Sequence, residues 1–179
     1  MTSALDDLTR WFREMPRPVS SVDCSSVESE LGTALPSDYK EFVNRFGACW
    51  VQHLNVCAPG SSRRTISDGL YLLEAFFNLG LAEYRGAPGW PDHTKLLLWG
   101  DIDSDPVLCW DRSSSDDPDE WRTVVFDTVG QLVWLDGNMT TCVRDMITGR
   151  QRPNILGGDF AKPKLWVCAD GEMLPIRLD

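Results

Sequence analysis

"KLLLWGDIDSDPVLCWD" occupies residues 95–111. Two short apolar runs, "KLLLWGDI" and "VLCWD", flank the turn-forming set "DSDP". Each is too short for a helix and is bounded by turn residues, so the stretch reads as two strands of a hairpin. From here the periodicity of the chain changes from helical to extended. Downstream, "WRTVVFD" (121–127) and "QLVWLD" (131–136) are two more strands, joined by a turn at Val129–Gly130. A helix from about Thr140 to Ile147 follows, stopped by Gly149. The segment "KLWVCADGEMLPIRL" (164–178) carries a hairpin signal with Asp170–Gly171 at its turn.

Upstream the spacing is helical. Leu5, Leu8, Trp11, Phe12 and Met15 form one stripe, with Ser3 as the N-cap and Pro16 and Pro18 beyond its end. In "SSVESELG", Ser25 and Glu28 fit a capping box and Gly32 stops the turn. In "LPSDYKEFVNRFG", Ser37 or Asp38 caps a helix whose buried face is Tyr39, Phe42, Val43 and Phe46, closed by Gly47. Residues 50–58, "WVQHLNVCA", read as one strand. "GSSRRTISDG" (60–69) reads as a polar loop, and 70–84 as a helix weakened at Gly80. Helices come first and strands cluster later with short connections. The class expected is α+β, a central, largely antiparallel sheet flanked by helices.

The chain has 179 residues and a hydrophobic fraction of 42%, with eight Trp and seven Phe. A domain of that length buries roughly 70% of its unfolded surface, and one domain over 1–179 is expected. No secretory leader is visible at the N-terminus and no run approaches the ~20 apolar residues of a membrane helix, so a cytoplasmic, membrane-free protein is expected. The six cysteines, Cys24, Cys49, Cys57, Cys109, Cys142 and Cys168, form no CxxC pair. They read as buried, reduced thiols.

Charge is concentrated. The net charge is −10, from 27 acids and 17 bases, and residues 101–120 hold eight acids and one base, hence −7 of it. Direct binding to nucleic acid needs a basic face and is not expected. The D-x-D-x-D opening of Asp101, Asp103 and Asp105 resembles a calcium loop. Such a loop needs Gly at position six and Glu at twelve, where Pro106 and Arg112 stand. Paired-carboxylate hydrolysis needs desolvated acids, whereas these are flanked by Ser113, Ser114, Ser115 and Pro118 and read as solvated. The two histidines form no dyad with a neighbouring cysteine, since His53 and Cys57 on one strand would lie ~13 Å apart. No nucleophile elbow, phosphate loop or dinucleotide fingerprint occurs. Neither an enzyme, a metal nor a cofactor is expected.

The aromatic frame around the acids resembles the SUKH superfamily, which includes yeast cell-wall-assembly regulators and bacterial immunity proteins. The residues carrying the resemblance are Leu35, Pro36, Tyr39 and Phe42; Trp99, Gly100 and Asp101; Cys109, Trp110 and Asp111; and Trp121 and Trp134. It covers roughly residues 25–149, leaving 150–179 as a C-terminal segment with the hairpin. The resemblance implies a non-catalytic binding protein, acting as a monomer, that grips a cognate toxin, such as a basic nuclease. The expected contacts are Asp103, Asp105, Asp116, Asp117, Asp119 and Glu120, with Trp121 as an aromatic anchor. The other expectation is an interaction module of the same fold in signalling or envelope assembly.

Overall fold

A computed structural model describes residues 3–15, 21–60, 65–151, 154–156, 166–169, 172–176 and 178. Helix α1 (Ala4–Trp11) begins at the expected cap: the Ser3 hydroxyl accepts from Asp6 N–H at 3.1 Å and the Asp6 carboxylate accepts from Ser3 N–H at 3.2 Å. Its apolar stripe, with Phe12 and Met15 beyond its end, is buried. Helix α2 (Ser25–Leu31) is not closed by the capping box expected of Ser25 and Glu28. Asp23 takes the Ser25 N–H instead, and Glu28 turns away to the Leu35 N–H (2.8 Å) and Lys40 Nζ (3.0 Å). Helix α3 (Ser37–Phe46) buries Tyr39, Phe42, Val43 and Phe46 as the spacing requires.

Residues 50–58 do not form one strand. They fold into a hairpin of β1 (Cys49–Val51) and β2 (Leu54–Val56), reversed at Gln52–His53 with Gln52 at φ 57. Helix α4 (Ile66–Leu79) starts inside the segment read as a polar loop. Thr65 and Asp68 make a reciprocal capping box there. The helix ends at Gly80, and Ala82–Tyr84 is a separate 3-10 turn.

The strands β3 (Leu96–Ile102), β4 (Val107–Asp111), β5 (Arg122–Phe126) and β6 (Leu132–Leu135) match the expected hairpins. Helix α5 (Met139–Thr148) is capped by the Asn138 side chain on Thr141 N–H and ends at Gly149. The C-terminal hairpin pairs β7 (Trp166–Ala169) with β8 (Glu172–Pro175); its turn residues, Asp170 and Gly171, lie outside the described residues. The eight strands form one antiparallel sheet in the order β6-β5-β4-β3-β2-β1-β7-β8. It is a six-strand meander whose far edge is completed by the last hairpin.

Two glycines permit close approaches, one within the sheet and one of helix to sheet. A Cβ on Gly100, at the β3 bulge, would stand 2.9 Å from the Asn55 carbonyl of β2. One on Gly69 would stand 2.8 Å from Leu98 Cβ, so α4 lies directly on β3. On the other face α1, α3 and α5 pack together. Tyr39 donates to the Cys57 carbonyl at 2.7 Å and meets Trp110 edge-on at 5.2 Å. Trp99 and Trp121 flank Trp110 at 6.2 and 6.4 Å, each aromatic pair adding ~0.5–1.5 kcal/mol beyond its buried area. Cys24, Cys49, Cys57, Cys109 and Cys142 are buried. No described helix is long and apolar enough to cross a membrane.

Candidate functional site

A meander delivers its turns alternately to two ends of the sheet. The β1–β2, β3–β4 and β5–β6 turns lie at one end; the β4–β5 connection and the β6–α5 junction lie at the other. Strand β4 separates them, and its four residue steps rise ~13 Å. The seven expected contact residues are therefore divided. Asp103 and Asp105 sit at the turn end, and Asp116, Asp117, Asp119, Glu120 and Trp121 at the loop end.

At the turn end the carboxylates hold neighbouring turns together. Asp101, only 2% exposed, accepts from Asn55 Nδ2 at 3.0 Å and from Ser104 N–H at 2.8 Å. Asp103 lies 2.9 Å from His53 Nδ1. Asp105 accepts from Thr128 N–H at 3.1 Å and from its hydroxyl at 2.6 Å. Asp127 accepts from the Val129 and Gln131 N–H groups. The three alternating aspartates of the sequence thus face three different partners, and no cluster of three or more potential metal ligands occurs among the described residues.

The loop end is built differently. Asp111, buried at the end of β4, accepts from the backbone and hydroxyl of Ser113. Trp121 is 6% exposed, and its indole donates to the Ser115 carbonyl at 3.0 Å, so it frames the loop from inside. Pro118–Glu120 forms a 3-10 turn capped by Asp117, whose carboxylate accepts from Asp119 N–H at 3.0 Å. The Ser115 hydroxyl donates to Glu120 at 3.0 Å and accepts from Asp117 N–H at 3.0 Å. These acids are solvated, as the sequence suggested, and most of them are also held in place. Asp116, Asp117, Asp119 and Glu120 are all exposed, yet the last three are also hydrogen-bonded.

Asp119 does most to fix the loop. Neither Ser37 nor Asp38 caps α3 as the sequence suggested; the Asp119 carboxylate reaches across and accepts the Ser37 N–H at 2.5 Å. Asp38 in turn accepts the Thr140 N–H at 2.8 Å, in the first turn of α5. Loop, α3 and α5 are thereby joined through two carboxylates at helix N-termini, where negative charge is favoured. Burial pushes the Asp38 carboxyl above its ordinary pKa and the Asp119 charge adds to that, against the pull of the Thr140 hydrogen bonds.

The structure brings in residues that sequence reading missed. An open groove of about 380 Å³ runs from Asp119, Glu120 and Trp121 past Arg122 and Trp134 to Asp136 and Asn138. The Arg122 guanidinium lies 4.0 Å over the Trp134 ring, a cation–π contact. Asp136 is exposed and adds a further carboxylate beside Asp119 and Glu120. Its place followed from the hairpin: the pairing Thr123↔Leu135 sets residue 136 beside the start of β5. The loop's one cation, Arg112, is turned away, donating to the carbonyls of Thr94 and Lys95 at 3.2 Å each.

A family model described as SUKH_6, SMI1-KNR4 cell-wall, matches residues 23–139. The chain belongs to the SUKH family. The matched segment runs from the start of α2 to the start of α5, and so contains the meander and the acidic loop. No curated protein and no solved structure matches the chain. What SUKH membership supports is an interaction domain, of the immunity-protein or SMI1-KNR4-like kind.

Proposed function

We propose that this SUKH domain neutralises a cognate toxin, a basic nuclease, by direct 1:1 binding through its loop end. The supporting observation is a preordered loop that carries four exposed carboxylates, with a fifth at Asp136, around a groove with an aromatic wall. A nuclease cleft is basic because it binds phosphates. An acidic surface competes for that cleft and raises the encounter rate ~10–1,000-fold. Because hydrogen bonds hold the loop before binding, less ordering entropy opposes association. The groove supplies the desolvated centre that charge alone lacks. In this reading the domain acts by occupying the toxin and not by catalysis.

Asp116, Glu120 and Asp136 can be changed without loss of a helix cap, so they test the reading cleanly. Their joint reversal to lysine is expected to slow association with the toxin-like product of the neighbouring reading frame by about tenfold or more. The salt dependence of the rate should flatten, and protection on co-expression should fail. Unchanged association kinetics in stopped flow would remove the loop end from the interface. The cell-wall wording of the family description favours a second reading, a regulatory interaction module in envelope assembly. Recovery of several unrelated partners, with no protection against the neighbouring product, would select it.

A further inference from the structure

Strand β6 is one outer edge of the sheet, and it borders the groove. The hydrogen bond from Asp127 N–H to the Gln131 carbonyl (3.1 Å) shows which of its residues face β5. In an antiparallel pair, residues alternate between exchanging both bonds with the partner and pointing both groups away. The Gln131 carbonyl points toward β5 and its N–H meets the Asp127 carboxylate, so Gln131 faces that strand, and by alternation Val133, opposite Val125, and Leu135, opposite Thr123, face it too. Leu132, Trp134 and then Asp136 direct N–H and C=O outward.

The outward pair of Asp136 is already met. Gln151 Nε2 donates to its carbonyl at 2.7 Å and Gln151 Oε1 accepts from its N–H at 3.1 Å. Those are the two bonds an added strand would make. No such bond is made to the outward groups of Leu132 or Trp134 among the described residues. The other edge strand, β8, contains Pro175, a missing donor of the kind that blunts an edge. Strand β6 reads LVWL, without a proline or a charge, and its first three side chains are half-buried.

We infer that β6 receives an extended, cationic segment of the partner as a ninth strand, with main-chain bonds to Leu132 and Trp134 and cations toward Glu120 and Asp136. This rests on the reading that a basic partner binds the loop end. Charge selects the occupant: a second copy of this chain carries the same −10 and would set Asp136 and Glu120 against like charge. Strand addition takes its affinity from main-chain bonds and its specificity from the flanking pockets; here the groove is the flanking pocket.

The probe is a labelled peptide of about eight residues alternating arginine and valine, titrated onto the full chain. A copy N-methylated at every internal residue keeps the charges and loses the donors. The plain peptide is expected to bind and to slow amide exchange at Leu132 and Trp134, and methylation to weaken binding about tenfold or more. Leu132→Pro deletes an outward N–H that makes no bond within the sheet, so it should keep the fold and lose the peptide. If it fails to fold, the methylated peptide decides alone. Equal binding of both peptides, no binding of either, or unchanged exchange overturns strand addition. Loss of toxin protection in the lysine reversals would still stand for the function. A self-associated chain that Leu132→Pro renders monomeric overturns the choice of occupant.

Discussion

The two ends of the sheet use the same residue type in opposite ways. At the turn end Asp101 and Asp127 are buried against N–H donors of their own turns, and Asp105 clamps the neighbouring turn. At the loop end Asp111 alone turns inward, to Ser113, while Asp116, Asp117, Asp119 and Glu120 stay in water, and those of the four that accept hydrogen bonds do so from the exposed side of the molecule. The difference lies in what stands within reach. An aspartate at a strand end finds the N–H groups two to four residues on, and turns inward to satisfy them. A longer connection between strands offers fewer such donors per acid, and its charge remains on display. Density of acids along the sequence therefore measures surface charge poorly.

The sharpest way to break this contrast is Asp101→Ala. The substitution leaves the buried Asn55 Nδ2 without its acceptor and frees the Ser104 N–H at the turn. The expected loss of stability is about 3 kcal/mol, since a buried group stripped of a charged partner suffers its full desolvation penalty. Urea denaturation measures it. A loss below about 0.5 kcal/mol, the range of ordinary surface changes, would mean that the turn end is no more structural than the loop.

Asp119 belongs to both kinds at once, and two substitutions separate its roles. Asp119→Ala removes the acceptor of the α3 N-terminal N–H and should cost about 1 kcal/mol, as lost N-caps do. Asp119→Asn keeps an acceptor and removes only the charge, so it should cost less stability than Asp119→Ala while association with the toxin slows. Asp116→Ala serves as the comparison, with a stability change within about 0.5 kcal/mol. Equal stability of Asp119→Ala and Asp116→Ala would detach the loop from α3.

How much of this was legible depends on range. The hairpins β3–β4 and β5–β6 follow from short apolar runs and their turn residues, which are local signals, and the stripe of α3 follows from its spacing. The start of α4 was hidden because Thr65 and Asp68 look like loop residues until their reciprocal bonds are seen. The β1–β2 turn was hidden because Gln52, at φ 57, is not a residue whose presence announces a left-handed turn. The site was less legible than the fold. That Asp119 caps a helix beginning 82 residues earlier, and that Asp103 and Asp116 lie at opposite ends, are consequences of the meander and not of neighbouring letters.

The smallest expected effect concerns Asp38, which links the loop to α5. Its folded pKa is raised by burial and by the Asp119 charge, above the ordinary value of about 3.9. A carboxyl raised in this way binds its proton more tightly folded than unfolded, so its contribution favours the fold below the ordinary value and is lost as pH rises through the raised one. Glu28 runs oppositely: the Leu35 N–H and Lys40 lower its pKa, so its contribution is present at neutral pH and is lost on acidification. Asp38→Asn removes the first contribution, keeps an acceptor for Thr140 N–H, and leaves the second. Between about pH 7 and pH 4 the variant should lose stability more steeply than the parent, while matching or exceeding it at neutral pH. Adding Asp119→Asn to the parent should move its curve part of the way toward the variant's, because one source of the raised pKa is gone. Parallel curves for all three proteins would show that the carboxylates of loop and helix do not feel one another, and would leave the loop end held by the Ser37 bond alone.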